Sequence, residues 1–100
     1  MQARARRFSR GSISLLVGRS PLGGTAAPRL GMVVSRKVGT AVRRNAVKRW
    51  IREWFRTRGV DFPRGVDLVV IAKPGAAERG HQAVIADVGA LATEVARSLT

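Results

Sequence analysis

The spacing of five apolar residues, Val47, Trp50, Ile51, Trp54 and Phe55, constrains the architecture of this chain more than any other feature. Steps of three and four place them on one side of an α-helix running from Ala41 to about Arg58, and that side must be buried against another layer. The other side is cationic: Arg44, Lys48, Arg49, Arg52 and Arg56 occupy it, and Glu53 is the one acid of the segment. Thr40 is placed to cap the start, Arg43 at the third helical position gives no capping box, and Gly59 is placed to end the helix. Fold stability alone would not select this pattern. Arg43 and Arg44 stand in the first turn, where the helix dipole opposes cations, and acids three or four residues away are almost absent. Such an element is anchored in a core while it presents charge to a polyanion.

The remaining sequence agrees. One hundred residues suffice for one modest core, and 45% of them are hydrophobic, so a folded domain is expected despite a formal charge of +13. Residues 1–58 carry fifteen Arg or Lys against Glu53 alone; residues 59–100 carry four against five acids, Asp61, Asp67, Glu78, Asp87 and Glu94. That segregation suits a binding face rather than a diffuse solubility device. The absence of Cys excludes disulfides and thiolate chemistry. His81, the single histidine, reads as a capping or surface residue, and the scattered acids form no local motif for a carboxylate metal centre. Neither a catalytic nor a metal-ligating residue is expected. No apolar run approaches the roughly 20 residues that cross a bilayer, and no signal-peptide core follows the basic start. The expected location is the cytoplasm, with no membrane partner.

Residues 1–12 read as a basic N-terminal arm or a first short strand, ordered near Phe8 as a sheet edge, and residues 13–100 as a single RNA-binding α+β domain. Ile13–Val17 has strand length and β-branched content. A loop from Arg19 to Arg29, marked by Pro21, Gly23, Gly24 and Pro28, separates it from a second strand at Leu30–Ser35. The two are expected to pair as an antiparallel hairpin. After a turn at Asp61–Gly65, where Phe62-Pro63 disfavours helix, Asp67–Ala72 reads as a strand with little alternation, expected to be buried on both faces. Val84, Val88, Leu91, Val95 and Leu99 mark a second amphipathic helix, starting at about Ala76 or Gln82. The order gives an α+β class, a small two-layer sandwich of mixed sheet with helices on one side. Strands 30–35 and 67–72 are expected to be parallel across the first helix, with a right-handed crossover as the general rule.

The turn Ser35–Gly39 carries Arg36 and Lys37 and delivers the chain directly into the basic helix. Together they form one candidate phosphate path through Arg36, Lys37, Arg43, Arg44, Asn45, Lys48, Arg49, Arg52 and Arg56, with Gly39 permitting close backbone approach. Arg offers phosphate a bidentate fork, and Asn45 offers a ribose or base edge both a donor and an acceptor. Trp50 and Trp54 are candidates for base stacking, but their place on the apolar stripe favours packing for at least one. Arg4, Arg6, Arg7 and Arg10, with Phe8 among them, read either as a solvated tail or as an arm that orders on a nucleic-acid backbone.

The run Gly31–Glu53, through Ser35-Arg36-Lys37-Val38-Gly39 and Arg43-Arg44-Asn45-Ala46-Val47-Lys48-Arg49, resembles the signature of the bacterial ribonuclease P protein component, and Asp67–Ala77 resembles the later strand and turn of that family. The resemblance covers roughly residues 6 to 99. It implies a subunit that assists a catalytic RNA in magnesium-dependent removal of the 5′ leader from precursor tRNA, with Mg2+ held mainly by the RNA and no obligate protein partner. It further implies that Arg44, Asn45, Lys48, Arg49 and Arg52 face the catalytic RNA with Lys37 on the same path, and that leader or arm contacts involve Arg6, Arg7, Phe8 and Arg10. The fold implied is a ribosomal-protein-like domain with a left-handed βαβ crossover, contrary to the general rule. Two departures stand out. The family signature usually reads arginine, asparagine, arginine where this chain has Arg44, Asn45 and Ala46, so one cation is absent, and the family's N-terminal helix, which with the sheet forms the leader cleft, is expected to be missing. An exposed sheet face would then favour low solubility or oligomerisation. The runner-up is a non-enzymatic RNA-binding module, such as a ribosomal protein or RNA chaperone; the helix motif separates the two.

Overall fold

The computed structural model describes residues 6–58, 62 and 64–99. In chain order these form β1 (Arg6–Arg10), β2 (Ile13–Arg19), β3 (Arg29–Val34), a single 3₁₀ turn (Arg36–Val38), α1 (Ala41–Arg58), β4 (Val66–Ala72), α2 (Ala76–Arg79) and α3 (His81–Leu99). The four strands make one mixed sheet in the order β1-β2-β4-β3. The basic start of the chain is thus a strand from Arg6, paired antiparallel with β2, while Arg4 lies outside the described residues. Gly59 and Asp61 also lie outside them.

The expected hairpin between the second and third strands does not form. β2 pairs antiparallel with β4, from Ile13 opposite Ala72 to Arg19 opposite Val66, and β3 pairs with β4 alone, in parallel. The reason is burial: a strand bearing apolar residues on both faces gains most from a central position with neighbours on each edge, and Val66–Ala72 is the strand with that composition. The parallel pairing across α1 is as expected. A close backbone contact admits the long loop: Gly65, at φ +82°, donates its amide to the Ala26 carbonyl at 2.8 Å and accepts from Ser20 at 2.9 Å. A Cβ on Gly65 would come within 2.7–3.0 Å of the Gly24 backbone.

Alternation and register divide the sheet into two faces. One carries Ile13, Leu15 and Val17 of β2 beside Leu68, Val70 and Ala72 of β4, all buried, and packs against Val47, Ile51 and Trp54 of α1 and Val84, Val88, Leu91 and Val95 of α3. Val38, Phe62 and Ala76 complete that core. The opposite face carries Leu16, Val69 and Ile71, half-buried, and Val33, which is 49% exposed. β4 is therefore fully buried on one face only, because both long helices lie on the same side of the sheet. Arg29 and Asp67, aligned by the β3–β4 register, close that second face with a bidentate pair at 3.1 and 2.7 Å. The hydrogen bond from Arg29 holds the Asp67 carboxyl below the usual carboxylate range and raises the guanidinium of Arg29 in turn.

The second amphipathic segment begins as two helices. α2 is a single turn, and Gly80 at φ +89° separates it from α3, so the 76-or-82 ambiguity of the sequence reflects a real break. The β1–β2 turn needs its glycine for two reasons. Gly11 has φ +56°, and a Cβ there would collide with the Asp87 carboxylate of α3. Asp87 is itself buried and receives Arg79 Nη2 at 2.7 Å, with Arg10 Nε 3.8 Å away. The hairpin turn is thereby clamped to α3.

Candidate nucleic-acid interface

The chain leaves β3 through a tight turn that aims two cations outward. The Ser35 hydroxyl accepts from the Lys37 amide at 3.3 Å, and Val38 and Gly39 donate to the Ser35 and Arg36 carbonyls at 3.0 and 3.1 Å. Val38 is buried and pins the turn to the core, leaving Arg36 and Lys37 exposed. Thr40 then starts α1 as expected: its carbonyl accepts from the Arg44 amide at 2.9 Å and its hydroxyl from the Arg43 amide at 3.4 Å.

Along α1 the apolar stripe behaves as the period requires. Val47, Ile51 and Trp54 are buried, and Trp50 and Phe55 are half-buried against the core. Trp54 is a packing residue. Trp50 meets His81, the exposed first residue of α3, with ring centroids 5.5 Å apart and planes tilted by 40°. That contact was not legible in the sequence, since it joins residues thirty-one positions apart whose only shared signal is that both are aromatic.

The opposite side of α1 exposes Asn45, Arg49, Arg52 and Arg56, with Arg44 and Lys48 half-buried beside them. The first turn contains no acid. Among the described residues, the side chains of Arg36, Lys37, Arg44, Lys48, Arg49, Arg52 and Arg56 make no ion pair or hydrogen bond with the rest of the chain. Unscreened like charges three and four residues apart cost the helix a few tenths of a kcal/mol per pair, roughly 0.2–0.5. Arg43 differs from them, because it is paired with Glu78 of α2. The structure therefore brings together eight of the nine residues expected on the path, with Arg43 turned to an internal acid.

A family model described as Ribonuclease P matches residues 1–96. The chain belongs to that family. The ribonuclease P protein component of Syntrophus aciditrophicus is 41% identical over 73 residues, which are 73% of this chain and 61% of that protein. That of Salinispora tropica is 49% identical over 67 residues, 66% of this chain and 49% of that protein. The chain thus spans about half to three-fifths of the length of these relatives. Among solved structures, the RNase P protein from Thermotoga maritima superimposes with a TM-score of 0.78 at 32% identity, covering 91% of this chain and 84% of that one. The Staphylococcus aureus RNase P protein gives 0.80 at 25% identity, covering 93% and 82%. The mixed four-stranded sheet with its helices is the fold of the family.

Within this family frame the four residues expected as leader or arm contacts separate. Strand alternation sends Arg7 to the open face of the sheet, where it donates to Ser14 Oγ at 3.2 Å, and Arg6, Phe8 and Arg10 to the helical side. Arg10 turns to Asp87, and Arg6 lies over the Phe8 ring at 5.3 Å. They are not one site. Ala46 is half-buried in α1, between the two residues Asn45 and Val47 that face opposite ways.

The described residues offer no protein cage for a metal ion: no three His, Asp or Glu converge, and Asp67, Asp87 and Glu78 are each engaged by arginine. No described helix is long and apolar enough to cross a membrane.

Proposed function

We propose that this chain is the protein subunit of ribonuclease P, binding the catalytic RNA and helping it remove the 5′ leader from precursor tRNA. The observation that carries the reading is a cationic path, unpaired among the described residues, of Arg36 and Lys37 in the turn before α1 and of Arg44, Lys48, Arg49, Arg52 and Arg56, joined by Asn45, on a helix whose other side is locked into the core. A surface that exposes its cations without internal acids spends nothing on breaking ion pairs when phosphates arrive, and each phosphate neutralised releases counterions. The guanidinium groups would grip phosphate oxygens in pairs, while Asn45 would reach a ribose or base edge.

The protein contributes position and charge. Holding the two RNAs together lowers their mutual repulsion and orients the scissile bond, and the chain's own side chains supply no nucleophile or general base. Magnesium, bound by the RNA, would supply the activated water and stabilise the leaving oxygen.

Reconstitution with a cognate ribonuclease P RNA at low magnesium, using a precursor tRNA with a long leader, tests this directly. The protein should bind the RNA tightly with a steep salt dependence and raise cleavage above that of RNA alone. Tight binding without any gain in cleavage would favour the general RNA-binding module instead, and absence of binding would remove both.

A further inference from the structure

Trp54 packs its ring into the core and leaves its indole N–H without a partner. The residue is 8% exposed, yet Nε1 makes no hydrogen bond among the described residues. Buried indole N–H groups usually find an acceptor. Nor is this one sealed in: among the described residues the buried side-chain polar atom left without a partner is Ser12 Oγ, so Nε1 reaches open space. Gly89 of α3 makes that space, since an added Cβ would stand 3.8 Å from Nε1. Glycine weakens a helix interior relative to alanine, and Gly89 does not have a positive φ that would call for it. An alanine methyl would also fit at ordinary contact distance. Neither backbone nor packing requires the glycine; its effect is to leave the indole N–H uncovered.

The space is a cavity of about 250 Å³ between the C-terminal half of α1 and α3. The ring of Phe62 is one wall, and Ala92 and Ala96 continue the small-residue floor begun by Gly89. Arg58, one turn beyond Trp54 on the same side of α1, stands at the edge, exposed and without an ion pair or hydrogen bond among the described residues. Thr93 also lines the cavity, but its hydroxyl already donates to the Gly89 carbonyl at 3.0 Å. No acid among the described residues lines it. The cavity therefore offers two free donors, one of them charged, beside an aromatic wall. Water alone would satisfy the N–H and gain nothing from Phe62 and the alanines, and an inorganic anion would leave the same surface unused. A neutral ring would leave Arg58 idle, while a nucleotide base would bring donors on its edge to a cavity whose free polar groups are donors themselves. The volume equals that of about eight waters at roughly 30 Å³ each, room for a single ring with one carboxylate.

We infer that this cavity is a binding site for a small aromatic monocarboxylate, its carboxylate shared between Arg58 and the Trp54 N–H and its ring against Phe62. The site is independent of the cationic path, to which neither Arg58 nor Trp54 belongs. The full chain labelled with 15N shows two indole N–H resonances, from Trp50 and Trp54, and Trp50→Phe assigns them. Benzoate should move the Trp54 N–H proton downfield and saturably while Trp50 stays in place. Benzamide, which lacks the charge, and acetate, which lacks the ring, should each bind about ten-fold more weakly. Arg58→Gln should weaken benzoate about ten-fold, the share of one charge-assisted hydrogen bond. Gly89→Ala should fold at least as stably as the parent and weaken benzoate about five-fold, because its methyl covers the N–H. A Trp54 resonance unmoved by benzoate would mean that water alone fills the cavity and would overturn the inference. So would benzamide or acetate binding as well as benzoate, or parental affinity in both Arg58→Gln and Gly89→Ala. Uridine 5′-monophosphate moving Trp54 at lower concentration than benzoate would assign the cavity to RNA and overturn it equally.

Discussion

Arg43 is joined to Glu78, an acid thirty-five residues later in the chain, so the first cation of the basic helix is held by the protein itself. Both side chains are more than half exposed, so the pair contributes little to folding. Its consequence is for binding, because the acid competes with any phosphate for the same guanidinium.

Glu78→Gln should therefore tighten RNA binding. The expected change is about two- to five-fold at low salt, with the salt slope steeper by about one as Arg43 joins the phosphate contacts. Filter binding across a salt series reads both, and an unchanged slope would show that Arg43 stays off the RNA.

Arg49→Gln and Ile51→Ala should divide function from stability within three residues. The first should weaken RNA binding with a shallower salt dependence and leave the melting temperature unchanged or slightly higher, as like-charge repulsion on the helix is relieved. The second removes a fully buried side chain and should cost about 2–5 kcal/mol by urea denaturation. Loss of binding without loss of stability in Ile51→Ala would contradict the assignment of the two faces.

Acid should weaken the open side of the sheet through Asp67. Its folded pKa is depressed by Arg29, so the stabilisation is present above the unfolded carboxyl value, about 4, and is lost as pH falls through the lower folded value. Denaturation curves from neutral pH down to about 2 should show a component of stability vanishing below about pH 4 that is absent in Asp67→Asn. Identical pH profiles for the two proteins would remove the pair as its source.

Gly11→Ala should destabilise by about 1–3 kcal/mol, the usual cost of a side chain in the left-handed region. The added carbon also displaces Asp87 from Arg79, so the hairpin turn and α3 should lose amide protection together. Protection lost at the turn alone would mean that the two are not coupled.

How much of this was legible in the sequence depended on whether the determining contact was local. α1 could be read whole, cap included, because Val47, Ile51 and Trp54 repeat with the helix itself and Thr40 bonds within its first turn. Strand order could not, since Ile13–Val17 and Leu30–Ser35 are neighbours in sequence and nothing local says that Val66–Ala72 will lie between them. The cationic path was legible as composition, but the capture of Arg43 by Glu78 was not: it depends on where α2 docks. Likewise the alternation of β1 sorts Arg6 and Phe8 from Arg7 only once Arg6–Arg10 is known to be extended.

The central place of β4 also orders events during synthesis. β3 and the second edge of β2 each wait for a strand made after α1, and the α3 residues that cover Ile51 and Trp54 are made later still. While the chain emerges from the ribosome, its most cationic segment is therefore complete before the layer that holds it exists. Non-local pairing of this kind is slow to close and leaves apolar surface open meanwhile. Element order alone thus lets the cationic helix be made before the layer that buries its apolar side, and a polyanion present at that point would meet it unpacked.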